Sequence, residues 1–136
     1  MCYILSMDTS SEIHVGQSTT NVLSKNCPSN SVLEMVAGKW QVLILYALRG
    51  GKQRYSELQH TVEGISQKML TQTLRELERN GLVKRTSYPV VPPHTEYELT
   101  ELGASLEDIV YRLGGWAQEN IRAVLEARQA YDARSA

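Results

Sequence analysis

The residues best suited to chemistry lie on one side of a predicted helix. They are polar or basic and recur every three or four positions, so they share a face: Lys68, Thr71, Gln72, Arg75 and Arg79. Ser66 and Gln67 stand at the start of this helix, where unbonded backbone amides and a partial positive charge favour an anion. Hydroxyl, amide, ammonium and guanidinium groups are those with which a helix contacts phosphates and reads base edges in a major groove. An ordinary solvated helix face is the alternative interpretation.

The helix that carries these side chains has a start, a stop and a buried stripe. Ser66 is a predicted N-cap, because its hydroxyl can accept a hydrogen bond from an unbonded amide of the first turn. Gly81 follows Asn80 and can adopt the left-handed conformation that closes a helix. The apolar residues follow the spacing of one inward face: Ile65, Met69, Leu70, Leu74 and Leu77.

The charge of the chain is unevenly distributed. The net charge of the 136 residues is −1, which gives no overall signal for nucleic acid. Residues 38–100 nevertheless hold nine basic and six acidic side chains, whereas residues 1–37 and residues 101–136 each carry a net charge of −2. A mildly basic middle between acidic ends is compatible with a local nucleic-acid footprint.

The composition argues against several other classes of protein. Cys2 and Cys27 are the two cysteines, and with three scattered histidines they provide too few ligands for a zinc site. Both cysteines lie outside the predicted core, so no disulfide framework is expected. No apolar run reaches the length of a membrane span, and residues 2–5 are too short for a secretory signal. We therefore expect a cytoplasmic protein with no cofactor, no metal and no membrane partner.

The N-terminal part is predicted to contain an extension and two short helices. Residues 1–26 show little periodicity and many Ser, Thr and Asn residues, which predicts a segment that is disordered or ordered only by a partner. The folded domain is expected to cover residues 27–136. Residues 31–37 and 40–48 are predicted helices, and the second has one expected inward face: Trp40, Leu43, Ile44, Ala47 and Leu48.

A helix-turn-helix followed by a hairpin is the predicted centre of the domain. After a brief extended piece at residues 53–55, Ser56 is expected to cap a short helix over residues 57–61, with Leu58 inward. A turn at residues 62–64 leads into the polar-faced helix, which is the helix-turn-helix pattern. Residues 82–88 and 95–99 alternate as strands, and the proline-rich segment 89–94 between them excludes helix or ladder interior. Such a hairpin is the wing of a winged helix, so the predicted fold class is mainly α with a small β-hairpin wing.

The C-terminal segment predicts a helix that packs against another copy of itself. Thr100 is expected to cap a helix whose dimerisation part covers about residues 101–130. Its apolar residues continue towards the end of the chain, with Gly114-Gly115 as a break or a close-contact point. This helix has more apolar surface than a small winged domain buries, so a homodimer is the economical explanation.

With these elements laid out, residues 27–116 resemble the HxlR-type family of bacterial winged helix-turn-helix transcription regulators, which are related to the MarR proteins. The matching motifs occur in the order of the family: Cys27-Pro28, Gly38-Lys39-Trp40, Arg54-Tyr55-Ser56-Glu57-Leu58, residues 64–71 and 74–78, Gly81-Leu82-Val83, Tyr88-Pro89, Val91-Pro92-Pro93, Glu96-Tyr97 and residues 99–103. Three positions depart from the family, which usually has Gly at Ala37, Phe at Tyr55 and Arg or Lys at His94.

The resemblance implies a homodimer that binds double-stranded operator DNA of palindromic sequence, with the helix over residues 66–80 in the major groove. The expected DNA contacts are therefore Ser66, Gln67, Lys68, Thr71, Gln72 and Arg75 on that helix, with phosphate contacts from Lys39, Arg54, Ser56, Arg85 and His94. Arg79 lies nearer the end of the helix and is expected to meet Glu76 or solvent. Similar families sense electrophiles or oxidants through a cysteine near the N-terminus, and Cys27 falls at that position.

Several alternatives remain open at the level of sequence. The chain could be a winged-helix module that binds proteins instead of DNA, although the basic helix face favours DNA. A regulator with a small-ligand pocket at the dimer interface is another alternative. An enzyme is not expected, because the chain shows no nucleophile–base–acid set, phosphate loop or metal cluster. For Cys27 the alternative to a sensor is an inert, half-buried thiol.

Overall fold

A computed structural model describes residue 23 and residues 26–135. The predicted N-terminal extension therefore lies almost entirely outside the described residues, as does Cys2. The described part contains these helices and strands: α1 (Pro28–Val36), α2 (Lys39–Ala47), β1 (Gln53–Arg54), α3 (Tyr55–Thr61), α4 (Gln67–Arg79), β2 (Val83–Tyr88), β3 (His94–Leu99) and α5 (Glu101–Ser135). The chain divides into two compact units, residues 1–42 and residues 43–136.

The first unit contains α1, which begins earlier than its apolar pattern predicts. Pro28 occupies the first turn, where its missing N–H is tolerated and its fixed φ suits the helix, so α1 starts three residues before position 31. Cys27 precedes it in an extended conformation. The prediction that both cysteines lie outside the core was wrong for Cys27, which is 2% exposed. Cys27 is also disulfide-bonded, although no disulfide framework was expected. Periodicity does not reveal this burial, because Cys27 is isolated from any apolar run.

The inward face of α2 differs from the predicted one. Ile44, Leu45 and Leu48 are almost completely buried, whereas Leu43 is 39% exposed. Ile44 and Leu45 are neighbours in sequence, so the covered face of this helix is broader than a single stripe. One turn of 3-10 helix over Leu48–Gly50 continues α2 and ends it before β1.

The second unit contains a three-stranded antiparallel sheet with the order β1-β3-β2. The β2–β3 hairpin is in register from the pair Val83 and Leu99 to the pair Tyr88 and His94, as a wing requires. Two residues of β1 pair with the other edge of β3, which places Arg54 opposite Glu96. The mainly helical winged helix-turn-helix fold is thus confirmed, and the brief extended piece before α3 proves to be a third strand.

The C-terminal helix α5 is one continuous helix of 35 residues. Of the two roles predicted for Gly114-Gly115, the close contact is correct at Gly114, where an added Cβ would lie 3.0 Å from Cε2 of Tyr46. No break occurs there. Trp116 is 57% exposed in the single chain, whereas Val110 and Glu107 on the opposite side are buried.

In the described residues, no single helix is both long and apolar enough to cross a membrane. Only the bent pair formed by α1 and residues 39–50 passes on length and composition when its two pieces are combined.

Candidate nucleic-acid interface

Helices α3 and α4 form a helix-turn-helix whose two parts are held by a small apolar core. Leu58 of α3 and the inward residues Leu70, Leu74 and Leu77 of α4 are almost completely buried. The turn between the helices passes through Gly64, whose φ of +87° is one that other residues rarely adopt. The core therefore fixes which face of α4 points away from the protein.

The start and the stop of α4 are those predicted from the sequence. Ser66 is the N-cap, and its Oγ accepts a hydrogen bond from the Met69 amide at 3.1 Å. Gly81 has a φ of +77° and follows the last turn. The buried stripe differs from the prediction at two positions, since Met69 is only half-buried whereas Thr73 is 2% exposed.

The outward face of α4 gathers the predicted base-reading residues on one open concave surface. That surface is lined by Gln67, Lys68, Thr71, Gln72, Arg75, Glu76 and Arg79. Most of these side chains are exposed, and Thr71 and Glu76 are half-buried. Within the described residues, neither Lys68 nor Arg75 forms an ion pair. Both cations are consequently available to phosphate groups or base edges.

The hydroxyl of Tyr55 joins α3 to this face, which sequence reasoning did not predict. Tyr55 Oη donates to the Gln67 carbonyl at 3.1 Å and lies 2.8 Å from Thr71 Oγ1. A tyrosine sixteen positions before a threonine gives no pattern in the sequence, because the contact depends on the tertiary arrangement of two helices.

Arg54 and Ser56 lie at the start of α3, but the capping group is not the one predicted. Helix α3 begins at Tyr55, so Ser56 lies inside its first turn and is exposed. The prediction of Ser56 as the N-cap was wrong, because the Glu57 carboxylate reaches back and accepts from the Arg54 amide at 2.7 Å. Arg54 is exposed and precedes the helix directly.

The wing carries the remaining predicted contacts of the second unit. Arg85 is exposed on β2 next to the exposed Lys84. His94 is half-buried, with its ring stacked on Tyr88 at a centroid distance of 4.8 Å and its Nε2 3.3 Å from Glu96 Oε2. The other oxygen of Glu96 is 3.9 Å from Lys52 Nζ. His94 is thus held by its neighbours, while Arg85 is held by no ion pair in the described part of the chain.

Lys39, the remaining predicted phosphate contact, lies in the first unit, as does Cys27. Lys39 is exposed, and its Nζ lies 4.7 Å from the ring centroid of Trp40. The side chain is therefore extended over its neighbour while its charge stays in contact with solvent.

A hydrogen-bonded joint connects the end of α4 to the start of α5. Thr100 Oγ1 donates to the Gly81 carbonyl at 2.6 Å and accepts from the Gly103 amide at 3.0 Å, so it caps α5 as predicted. The Thr100 amide also donates to the Leu82 carbonyl at 3.1 Å. Gly103 packs so closely on Leu82 that an added Cβ would clash with the Leu82 carbonyl oxygen.

No cluster of three or more His, Cys, Asp or Glu side chains able to hold a metal ion occurs among the described residues.

Comparison with known proteins assigns this arrangement to a family. A family model described as HxlR-like helix-turn-helix matches residues 35–124. The Escherichia coli protein described as the uncharacterised HTH-type transcriptional regulator YtfH is 46% identical over 108 residues, which cover 79% of this chain and 86% of that protein.

Two solved structures show the same fold. The ytfH protein of Salmonella typhimurium is 48% identical, with a TM-score of 0.76 over 80% of this chain and 97% of that chain. The oxidised form of the redox regulator HypR is 42% identical, with a TM-score of 0.64 over 69% of this chain and 97% of that chain.

Proposed function

This chain belongs to the HxlR-like helix-turn-helix family of transcriptional regulators, and we propose that it binds a palindromic DNA operator as a homodimer. Helix α4 enters the major groove, and its outward residues contact bases and phosphates. The wing lies beside the sugar–phosphate backbone, where Arg85 contacts a phosphate. Because such a regulator acts on the chromosome of the cell, its proposed location is the cytoplasm.

The observation that carries this proposal is the outward face of α4. It combines exposed amide groups at Gln67 and Gln72 with the cations of Lys68 and Arg75, which form no ion pair within residues 26–135. Glutamine can bond adenine bidentately and arginine can bond guanine bidentately, and each good pair gives about 1–3 kcal/mol of discrimination against the wrong base. The capped N-terminus at Ser66 supplies further amides for a phosphate.

The homodimer is proposed from the exposed side of α5. Large apolar side chains that are about half exposed run along this helix: Leu102, Ile109, Leu113, Trp116, Ile121 and Leu125. The first four of these residues are three, four or seven positions apart and form one apolar stripe, and an exposed apolar patch of this kind marks an association surface. A second copy of α5 offers the same stripe, so a symmetric pair buries both and presents two α4 helices to one duplex.

Oxidant sensing through Cys27 is proposed as the regulatory input. Cys27 is disulfide-bonded, and the similar protein HypR is described as a redox regulator with an oxidised form. Two-electron reduction of this disulfide by a dithiol would release the thiol of Cys27 and that of its partner and would leave the reductant as a disulfide. The DNA affinity of the two redox states is expected to differ.

Selection of bound duplexes from a random pool with the full chain tests the proposal. A palindromic consensus is expected, with half-site centres separated by about one helical turn. The affinity for the selected site should fall steeply with salt, because each phosphate contact releases counterions. Failure to enrich any sequence, together with binding that is independent of salt, would contradict the proposed interface.

A further inference from the structure

The Tyr55 hydroxyl constrains the chemistry that Thr71 can present to DNA. Tyr55 is the first residue of α3, and its Oη lies 3.1 Å from the Gln67 carbonyl oxygen and 2.8 Å from Thr71 Oγ1. Both side chains are half-buried, so water competes only in part for these bonds. Thr71 nevertheless lies on the outward concave surface of α4, next to Lys68 and Gln72.

The number of hydrogens available decides the direction of both bonds. A tyrosine hydroxyl has one hydrogen, and a backbone carbonyl can only accept. The Tyr55 hydrogen is therefore donated to the Gln67 carbonyl. Either hydroxyl could donate across the 2.8 Å contact taken by itself, but both contacts are hydrogen bonds at the same time only if the Thr71 hydroxyl donates to Tyr55 Oη. In this arrangement Thr71 has already used its hydrogen, and its lone pairs and γ-methyl group remain for DNA.

We propose that Tyr55 is a positioning residue for base recognition, which holds Thr71 as a hydrogen-bond acceptor towards the major groove. The acceptor suits an exocyclic amino group, N6 of adenine or N4 of cytosine, and disfavours the keto oxygens of guanine and thymine. Thr71 thus selects amino bases over keto bases on the strand that it faces. This inference rests on the proposed entry of α4 into the major groove.

Removal of the Tyr55 hydroxyl alone should relax this selection. In Tyr55→Phe the Thr71 hydroxyl can rotate to donate or to accept, so it suits either kind of base edge. The amino-over-keto preference is expected to fall by about three- to tenfold, which is the range of one neutral hydrogen bond. A ratio of affinities for two duplexes does not depend on the folded fraction of the protein, so a modest loss of stability does not affect the result.

The experiment has three variants and one control. Base preferences of the wild type are determined by selection from a random pool, and Thr71→Val, which removes the hydroxyl but keeps the branched shape, identifies the position that Thr71 reads. Dissociation constants are then measured for all four bases at that position with Tyr55→Phe and with the double variant. Tyr131→Phe, which removes a hydroxyl near the exposed end of α5, is the matched control.

The inference is supported if Tyr55→Phe relaxes the preference at the Thr71 position and has no further effect in the Thr71→Val background. It is overturned if Tyr55→Phe leaves that preference unchanged, or if it alters all positions equally, or if Thr71→Val alters none. In each of these cases the wild type still selects a DNA site, so the proposed function stands. Only the absence of any selected site in the wild type would reject the proposed function and this inference together.

Discussion

Arg49 Nη1 lies 2.7 Å from Glu107 Oε1, and this contact fastens the end of the α2 helical segment to the buried side of α5. The Arg49 guanidinium also lies 3.7 Å from the ring centroid of Tyr111. The Glu107 side chain is 5% exposed, whereas that of Arg49 is 42% exposed. The second carboxylate oxygen, Glu107 Oε2, is buried and has no hydrogen-bond partner in the part of the chain that the structure describes. Arg49 is therefore the cation that compensates the buried carboxylate of Glu107.

Arg49→Met is expected to destabilise the fold by about 2–3 kcal/mol, because it leaves the Glu107 carboxylate buried without its cation. This value is below the range for fully buried pairs, since Arg49 is partly solvated. The double variant Arg49→Met, Glu107→Met should recover most of the loss, because an apolar pair can replace a buried ion pair. Urea unfolding gives the free energies.

Arg112→Met, which breaks the exposed pair with Asp108, is the control and should change stability by less than about 0.5 kcal/mol. If the double variant lost the sum of the free energies lost by the two single variants, the uncompensated Glu107 carboxylate would not be the cause of the destabilisation.

Gly103→Ala and Gly115→Ala are expected to have opposite effects, although both glycines lie inside α5. A Cβ at Gly103 would clash with the Leu82 carbonyl, so this substitution should destabilise the protein by about 1–3 kcal/mol. A Cβ at Gly115 meets nothing within 4 Å, so alanine should stabilise the helix by about 0.5–1 kcal/mol. Thermal unfolding followed by circular dichroism measures both. Equal shifts of the melting temperature would show that the joint at Leu82 is not closely packed.

Leu113→Glu is expected to convert the proposed dimer to a monomer at micromolar concentration. Leu113 is 58% exposed in the single chain and lies on the apolar side of α5 with Ile109 and Trp116. A carboxylate there would be buried against the partner helix without a cation, which is strongly unfavourable. Sedimentation equilibrium measures the mass. Val91→Glu places the same charge on the exposed wing tip and should leave the mass unchanged; a dimeric Leu113→Glu variant would exclude this side of α5 as the interface.

Lys68→Ala and Arg75→Ala are each expected to weaken operator binding without lowering the melting temperature, because both side chains are exposed and form no ion pair with any residue that the structure describes. If Lys68 contacts a phosphate, its removal should reduce the slope of log affinity against log salt by about 1 per site and weaken all sequences alike. If Arg75 contacts guanine, its removal should cost about 1–3 kcal/mol at one base position. Fluorescence anisotropy at several salt concentrations gives both quantities. Normal binding by both variants would remove α4 from the interface.

The operator affinity of the wild type is expected to differ between diamide-treated and dithiothreitol-reduced protein by about five- to 150-fold, the usual range of coupling between two sites. Cys27→Ser should abolish the difference, because Cys27 is the disulfide-bonded cysteine of the described residues. Gel electrophoresis without reductant would show whether the disulfide joins two subunits. If oxidants leave the affinity of the wild type equal to that of Cys27→Ser, Cys27 is not the sensor.

Local signals in the sequence were sufficient to predict α4 and the hairpin. The Ser66 cap and the stop at Gly81 each depend on residues close in the chain, and the structure confirms them. The apolar stripe is confirmed except at Met69, which is half-buried, while Thr73 is buried in addition. The proline-rich segment likewise indicated the tip of the wing, but its predicted end was one residue too late, because His94 is the first residue of β3 and pairs with Tyr88. For the same reason, the face of α4 that points outward could be derived before any tertiary contact was known.

Features that depend on distant residues were missed. The Arg49–Glu107 pair joins residues 58 positions apart, and the Tyr55–Thr71 bond depends on the angle between two helices. The cap of α3 was assigned to Ser56 because a hydroxyl is the usual signal, whereas the Glu57 carboxylate supplies the acceptor. Which side of α2 is covered also could not be derived, since nearly all of its residues are apolar.

The Thr100 hydrogen bonds attach the N-terminal end of the long helix α5 to the end of α4, the proposed DNA-binding helix. A helix of 35 residues is about 52 Å long, and its first turn is bonded to the residue that closes α4. In a dimer joined along α5, a tilt of α5 by about 5° displaces one end of this helix relative to the other by about 4–5 Å. The attached α4 would turn through the same angle. The crossing angle of the two α5 helices would then set the distance between the two α4 helices, and with it the spacing of operator half-sites that the regulator tolerates.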